Sequence, residues 1–78
     1  MTVTEVFDDV AGLLAQMDPA KIVALKAPQM MAKRVEVLID KKKDSRISLE
    51  ETSELERYLA LDMLINLAKA RAYRLLAA

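Results

Sequence analysis

The sequence predicts an all-α protein. Only one glycine and two prolines interrupt its 78 residues, and apolar residues recur at intervals of three and four, which is the spacing of amphipathic helices. Two pairs, Thr2 with Glu5 and Ser48 with Glu51, have the capping-box spacing that marks a helix start. A hydrophobic fraction of 54% argues against a disordered chain. The length favours a single helical domain over residues 1–78.

Two short helices are predicted at the N-terminus. The first spans about 3–16 and carries apolar residues at positions 3, 6, 7, 10, 13, 14 and 17. Asp18 followed by Pro19 predicts the start of the second helix, because aspartate is a preferred N-cap and proline fits the first helical position. Pro28 ends this helix, since its ring clashes with the preceding turn.

The rest of the chain predicts a helical hairpin, with one helix over about 28–43 and a second over about 49–77. The segment Asp44-Ser45-Arg46 between them has the composition of a turn. The second helix contains no glycine or proline, and its apolar residues lie on several of its sides. A helix that is hydrophobic on several sides is usually buried on several sides. We therefore expect part of this helix to be covered by another chain.

Self-association is predicted from the balance between chain length and apolar content. A chain this short buries only about 60% of its unfolded surface, which is too little to hide all of its apolar residues. We expect a homodimer or tetramer assembled through the long helix. The predicted interface residues are Leu59, Met63, Leu67, Ala70 and Leu75. The same apolar faces also suit a helix of another protein.

The composition removes most kinds of catalytic and metal site. The chain has no histidine, no cysteine and a single glycine, which excludes an imidazole base, a thiolate nucleophile, a typical zinc site and a glycine-rich phosphate loop. We expect a non-enzymatic protein without cofactor or metal. The longest uncharged stretch is Val10–Met17, and Met63–Ala68 is shorter, so both are well short of the ~20 apolar residues that span a membrane. We therefore expect a cytoplasmic protein with no membrane partner.

A basic middle segment supports an alternative function. Residues 21–46 hold eight basic and three acidic residues, a net charge of +5, although the whole chain is neutral. The residues that would contact nucleic-acid phosphates are Lys41, Lys42, Lys43 and Arg46. No aromatic residue is interleaved with them as a base-stacking platform would require. A nucleic-acid accessory protein using segment 33–46 is thus the alternative, and binding by this chain alone is not expected.

The segment 40–51 has the length of an EF-hand loop, which makes a degenerate calcium binder the further alternative. Asp40, Asp44, Ser48 and Glu51 fall at loop positions 1, 5, 9 and 12. Lys42, however, places a cation where a ligand oxygen belongs. Ser45 also replaces the glycine of the sharp turn. A helix–turn–helix whose second helix begins at Ser48 is the favoured interpretation.

Seven segments together carry a resemblance to known proteins. They are Asp18-Pro19, Ile22–Lys26, Arg34-Val35-Glu36, Lys41-Lys42-Lys43, Ile47–Glu51, Glu54–Leu59 and Leu67–Ala72. In this respect the chain resembles a family of small uncharacterised bacterial all-helical proteins that is frequent in cyanobacteria. Asp44-Ser45-Arg46 stands where that family often has a glycine–threonine turn. Genes of such proteins can lie beside HNH-type nuclease genes, so the resemblance implies an antitoxin-like or regulatory role.

Overall fold

The computed structural model describes residues 2–77, and this part of the chain contains four helices and no strand. Helix α1 spans Val3–Met17, α2 spans Pro19–Ala24, α3 spans Gln29–Lys43 and α4 spans Leu49–Ala77. The predicted all-α fold class is therefore confirmed. Within the described residues, none of the helices combines the length and the apolar content needed to cross a bilayer.

The predicted helix starts are confirmed by their capping hydrogen bonds. The side chains of Thr2 and Asp18 cap α1 and α2, each accepting from the backbone N–H three residues later, at 3.1 and 3.2 Å. At the start of α4 the capping box is reciprocal. The Ser48 hydroxyl accepts from the Glu51 N–H at 3.0 Å, and the Glu51 carboxylate accepts from the Ser48 N–H at 3.1 Å.

The turn between α3 and α4 is a Schellman motif. The Arg46 N–H donates to the carbonyl of Lys41 at 2.8 Å, and the Ser45 N–H donates to that of Lys42 at 3.2 Å. Ser45 closes the motif with a φ of 57°, in the left-handed region that usually takes glycine. The segment predicted as a turn from its composition is thus a specific helix-terminating structure.

The described chain forms two compact units. The first unit contains α1, α2 and residues 62–77 of α4, and the second contains α3 and the part of α4 up to Leu61. The buried residues of the first unit are all alanines, namely Ala11, Ala15, Ala68 and Ala72. Those of the second unit are Leu38 and Leu55. Both cores are small, so much of the apolar content of each unit lies at its surface.

Candidate interaction surfaces

Arg71 of α4 contacts one side of α1. Its guanidinium donates a hydrogen bond to the Asp8 carboxylate. A methyl group added at Gly12, one helical turn beyond Asp8, would lie 3.3 Å from the Arg71 Nη1 atom. Asp8, which accepts from Arg71, and Gly12, which lies beside the Arg71 side chain, are therefore on the same side of α1.

Small side chains fill the contact between these two helix segments. Ala11 and Ala15 of α1 are fully buried, and Ala68 and Ala72 of α4 are at most 1% exposed. Residues four apart lie on one face of a helix, so each pair forms a flat strip beside the Asp8–Arg71 contact. Short side chains permit a close approach of two helices. The spacing Ala-x-x-x-Ala in both segments is the sequence signal of this contact, and the sequence analysis did not use it.

The large apolar residues of α1 lie on the opposite side and form an exposed row. This row, the α1 seam, consists of Val3, Val6, Val10, Leu13 and Met17. Its members are between 38% and 81% exposed, and they are spaced three, four, three and four residues apart. Phe7 and Leu14 lie at one edge of the seam and are half-buried. The alanine strip, rather than the stripe of large residues, provides the packing within the unit.

On α4 the predicted interface residues differ in their exposure. Met63 and Ala70 are exposed and seven residues apart, so they lie on one face of the helix in the first unit. Tyr73 extends this face and is 58% exposed. Leu59 is also exposed, in the second unit, whereas Leu67 is half-buried. With Leu75, which is 45% exposed, four of the five predicted positions are thus exposed.

Leu75, the fifth predicted interface residue, lies on the side of α4 that faces α1. It lines a shallow cleft of about 220 Å³ together with Gly12, Gln16, Arg71 and Arg74. This volume is below the ~300–1,000 Å³ that is usual for small-molecule sites. Leu75 therefore belongs to the edge of the α1–α4 contact, and not to the face that carries Met63 and Ala70.

In the second unit, ion pairs join α3 to the start of α4. Arg34 binds Glu54 with two hydrogen bonds, from Nε at 2.8 Å and from Nη2 at 3.0 Å. Lys41 donates to Glu51, whose side chain is only 18% exposed. The bond from Lys41, and then the bond from the backbone of Ser48, lower the pKa of Glu51 from 4.5 to about 2. Glu51 is thus both a capping residue of α4 and an anchor for α3.

Known proteins do not indicate how these surfaces are used. The chain matches no protein-family model, no curated protein and no solved structure. Its function is therefore inferred from the side chains that the two units expose.

The structure divides the four predicted nucleic-acid contacts into two pairs. Lys41 is engaged by Glu51, and Arg46 forms an ion pair with Asp44 at 3.0 Å. Lys42 and Lys43 are exposed, and neither has an ion-pair partner among residues 2–77. Only half of the predicted cluster is therefore free to meet a phosphate group without first breaking an ion pair.

Basic side chains of the protein form ion pairs with two of the carboxylates in the EF-hand-like segment. Asp44 accepts from Arg46, and Glu51 accepts from Lys41. Within residues 2–77, no three acidic side chains lie close enough together to hold a metal ion. The turn geometry is that of the Schellman motif, which matches the helix–turn–helix interpretation of this segment.

Proposed function

We propose that this chain is a non-enzymatic protein–protein interaction module that self-associates as a homodimer or tetramer. One observation carries the proposal. Among residues 2–77, sixteen large hydrophobic side chains are exposed, whereas six residues form the buried cores and four of those six are alanine. Covering exposed apolar surface with a second chain is favourable because it removes that surface from water.

In this proposal α3 and α4 form a helical hairpin that acts as a scaffold. The ion pairs of Arg34 with Glu54 and of Lys41 with Glu51 support this assignment, because both of them join α3 to the first turns of α4. The contact surfaces are then the α1 seam and the exposed face of α4 that carries Met63. The α1 seam is apolar, whereas the α4 face combines apolar residues with Asn66, and both lie on regular helices, which suits recognition of another helix.

The non-enzymatic assignment rests on the chemistry of the polar side chains. The chain lacks histidine and cysteine, and the two carboxylates of lowered pKa are Glu51 and Glu54. For Glu54 the main cause is the hydrogen bond from Arg34. A carboxylate held ionised by a partner of opposite charge serves as a structural contact, whereas a general acid or base needs a pKa near the working pH.

An antitoxin-like or regulatory role would require a second protein on this module. The exposed α4 face is the surface we assign to it, since Met63 supplies an adaptable apolar contact and Tyr73 an aromatic one. Self-association through a different helix would leave this face accessible. The two activities are therefore compatible in one short chain.

Sedimentation equilibrium tests the proposed self-association. Between roughly 1 and 500 μM, a range that brackets typical affinities of small interfaces, we expect a mass that rises to a multiple of 8.7 kDa. A mass of 8.7 kDa at every concentration contradicts the proposal. Ala70→Asp tests the α4 face, with Ala32→Asp on exposed α3 as the matched control. A lower mass for Ala70→Asp alone assigns the α4 face to the assembly.

A further inference from the structure

We infer that the α1 seam pairs, parallel and in register, with the α1 seam of a second copy of this chain. The inference rests on the proposed self-association and names its surface, its partner and its orientation. The seam comprises Val3, Val6, Val10, Leu13 and Met17, none of which is buried within the first unit. α2 is the neighbour of α1 in that unit, and the seam remains exposed beside it.

The spacing of the seam fits two heptads of a short coiled-coil-like pair. Its intervals of three and four residues place Val3, Val10 and Met17 at heptad position a, and Val6 and Leu13 at position d. Residues at a and d insert into holes between equivalent residues of a facing helix. A heptad row is therefore complementary to another copy of itself, which makes a second copy of this chain the natural occupant.

The area of the seam, when it is fully covered, reaches the lower bound for a specific dimer. The five side chains together expose on the order of 500 Å² of apolar surface, at the upper end of what monomeric proteins leave uncovered. Two copies facing each other would remove about 1,000 Å² from water, which is the lower bound for a specific interface. Contacts from the flanking residues Phe7 and Leu14 would add to this area.

The charges of α1 argue against a lipid surface or a nucleic acid as the occupant. Its charged residues are Glu5, Asp8 and Asp9, all of them acidic. Amphipathic helices that lie on anionic membranes carry lysine and arginine on the polar face, and phosphate binding also requires positive charge. The seam itself contains no charged residue, so a second copy can cover it without burying a charge.

The parallel orientation follows from the seam and from one flanking charge. A parallel pair in register aligns all five seam positions with their counterparts, whereas an antiparallel pair of a with d leaves an end residue unmatched. The β-branched Val3 and Val10 at position a, with Leu13 at position d, suit a two-stranded rather than a higher-order parallel assembly. Asp9 flanks the seam at position g. A parallel pair places it opposite an apolar e position, whereas an antiparallel pair would bring two copies of Asp9 together.

Leu13→Asp tests the surface, and Leu49→Asp is its matched control. Leu13 is 64% exposed, so the variant should keep its helical circular dichroism, whereas a dimer would have to bury two carboxylates. We expect its dissociation constant to rise at least about 100-fold. Leu49→Asp makes the same change at a more exposed leucine outside the seam, and we expect less than about a twofold effect.

Single cysteines test the orientation independently of any loss of stability, because the natural chain contains none. In a parallel pair, Val3→Cys and Leu13→Cys should each form a disulfide-linked dimer on mild oxidation. Thr4→Cys, on the far side of α1 from the seam, should not. Linkage only when the Val3→Cys and Leu13→Cys proteins are mixed would overturn the parallel arrangement.

The outcomes separate this inference from the proposed function. A wild-type chain that is monomeric throughout overturns both. A wild-type dimer that Leu13→Asp leaves unchanged overturns the α1 pairing and leaves the self-association proposal standing. A monomer that instead binds zwitterionic phosphatidylcholine vesicles, with binding lost in Leu13→Asp, overturns the inference by assigning the seam to lipid.

Discussion

Arg71 of α4 reaches Asp8 of α1 alongside Gly12, the single glycine of the chain. Asp8 and Gly12 lie one turn apart on the side of α1 that also buries Ala11 and Ala15. The ion pair is half-exposed and marks the side of α1 on which Ala11 and Ala15 are buried. Because the alanine side faces inward, the large residues of the α1 seam face outward.

Gly12→Ala should stabilise the fold by about 0.5 kcal/mol. The gain from helix propensity is up to ~1 kcal/mol. Part of it is offset because the new methyl group would lie 3.3 Å from Arg71 Nη1, which must shift slightly. In an Arg71→Ala background the same substitution should yield closer to the full ~1 kcal/mol. Urea denaturation of all four proteins measures both gains, and a loss above about 1 kcal/mol for Gly12→Ala would show that Arg71 cannot move.

Ala72→Leu should destabilise the first unit by about 1–3 kcal/mol, because the methyl group of Ala72 is fully buried and a larger side chain overpacks its surroundings. Ala70→Leu is the matched control two residues earlier, at an exposed position, and should change the free energy of unfolding by less than about 0.5 kcal/mol. Urea midpoints at one protein concentration compare the two variants. Equal midpoints would contradict the close α1–α4 packing.

Ser45→Gly should stabilise the second unit by about 0.5–1 kcal/mol. A side chain in the left-handed region costs about 1–2 kcal/mol, and glycine removes this cost at the φ of 57° while losing some entropy on folding. Ser53→Gly, at an exposed position inside α4, should instead destabilise by about 0.5 kcal/mol. Thermal unfolding of the two variants should therefore shift in opposite directions. A shift to lower temperature in both would reject the strain at Ser45.

Acid should weaken the attachment of α3 to α4 through Glu51. The pKa of Glu51 falls from 4.5 to about 2 on folding, because Lys41 and the Ser48 backbone donate to its carboxylate. Its contribution to stability is therefore complete above pH 4.5 and is lost as the pH falls toward 2. In Glu51→Gln this loss should be largely absent.

The control for this pH profile is Glu56→Gln. Glu56 is exposed on the same helix, and its carboxylate has no hydrogen-bond or ion-pair partner among the described residues. Urea midpoints between pH 2 and pH 6 should fall equally for the wild type and Glu56→Gln. If Glu51→Gln followed the same curve, the ion pair with Lys41 would not contribute to the acid sensitivity.

The double variant Lys42→Glu, Lys43→Glu tests the nucleic-acid alternative without touching the ion pairs of Lys41 and Arg46. Two free cations release few counterions, so we expect neither the wild type nor the variant to bind DNA or RNA in a strongly salt-dependent way. Retention on immobilised nucleic acid from 50 to 200 mM salt measures this. Salt-sensitive retention of the wild type that is lost in the double variant would support an accessory role in nucleic-acid binding.

The positions of the helices could be predicted from local sequence. Thr2, Asp18 and Ser48 cap the helices that their spacing indicated, and α4 runs from residue 49 to residue 77 as expected. Each capping hydrogen bond joins residues three apart, so both partners can be recognised in a short stretch of sequence. The use of Ser45 in a Schellman motif was not predicted, because its left-handed φ arises from the backbone bonds of the completed turn.

The candidate site could be predicted only in part. Met63, Ala70 and Leu75 are all exposed and stay predicted interface residues, Leu75 beside the α1–α4 cleft, and the α1 seam was not among the predictions. Periodicity shows that a helix has an apolar side but does not show which side another helix covers.

The sequence by itself determined that this protein is helical, where its helices begin and end, and that its apolar content exceeds what so short a chain can bury. Caps and turns involve residues only a few positions apart, and composition does not depend on the order of the residues. Only the tertiary structure decided that alanines pack inside the first unit while valines, leucine and methionine of α1 face outward. That choice depends on contacts between residues far apart in the chain, such as Arg71 and Asp8, which are 63 residues apart, and no local pattern encodes them.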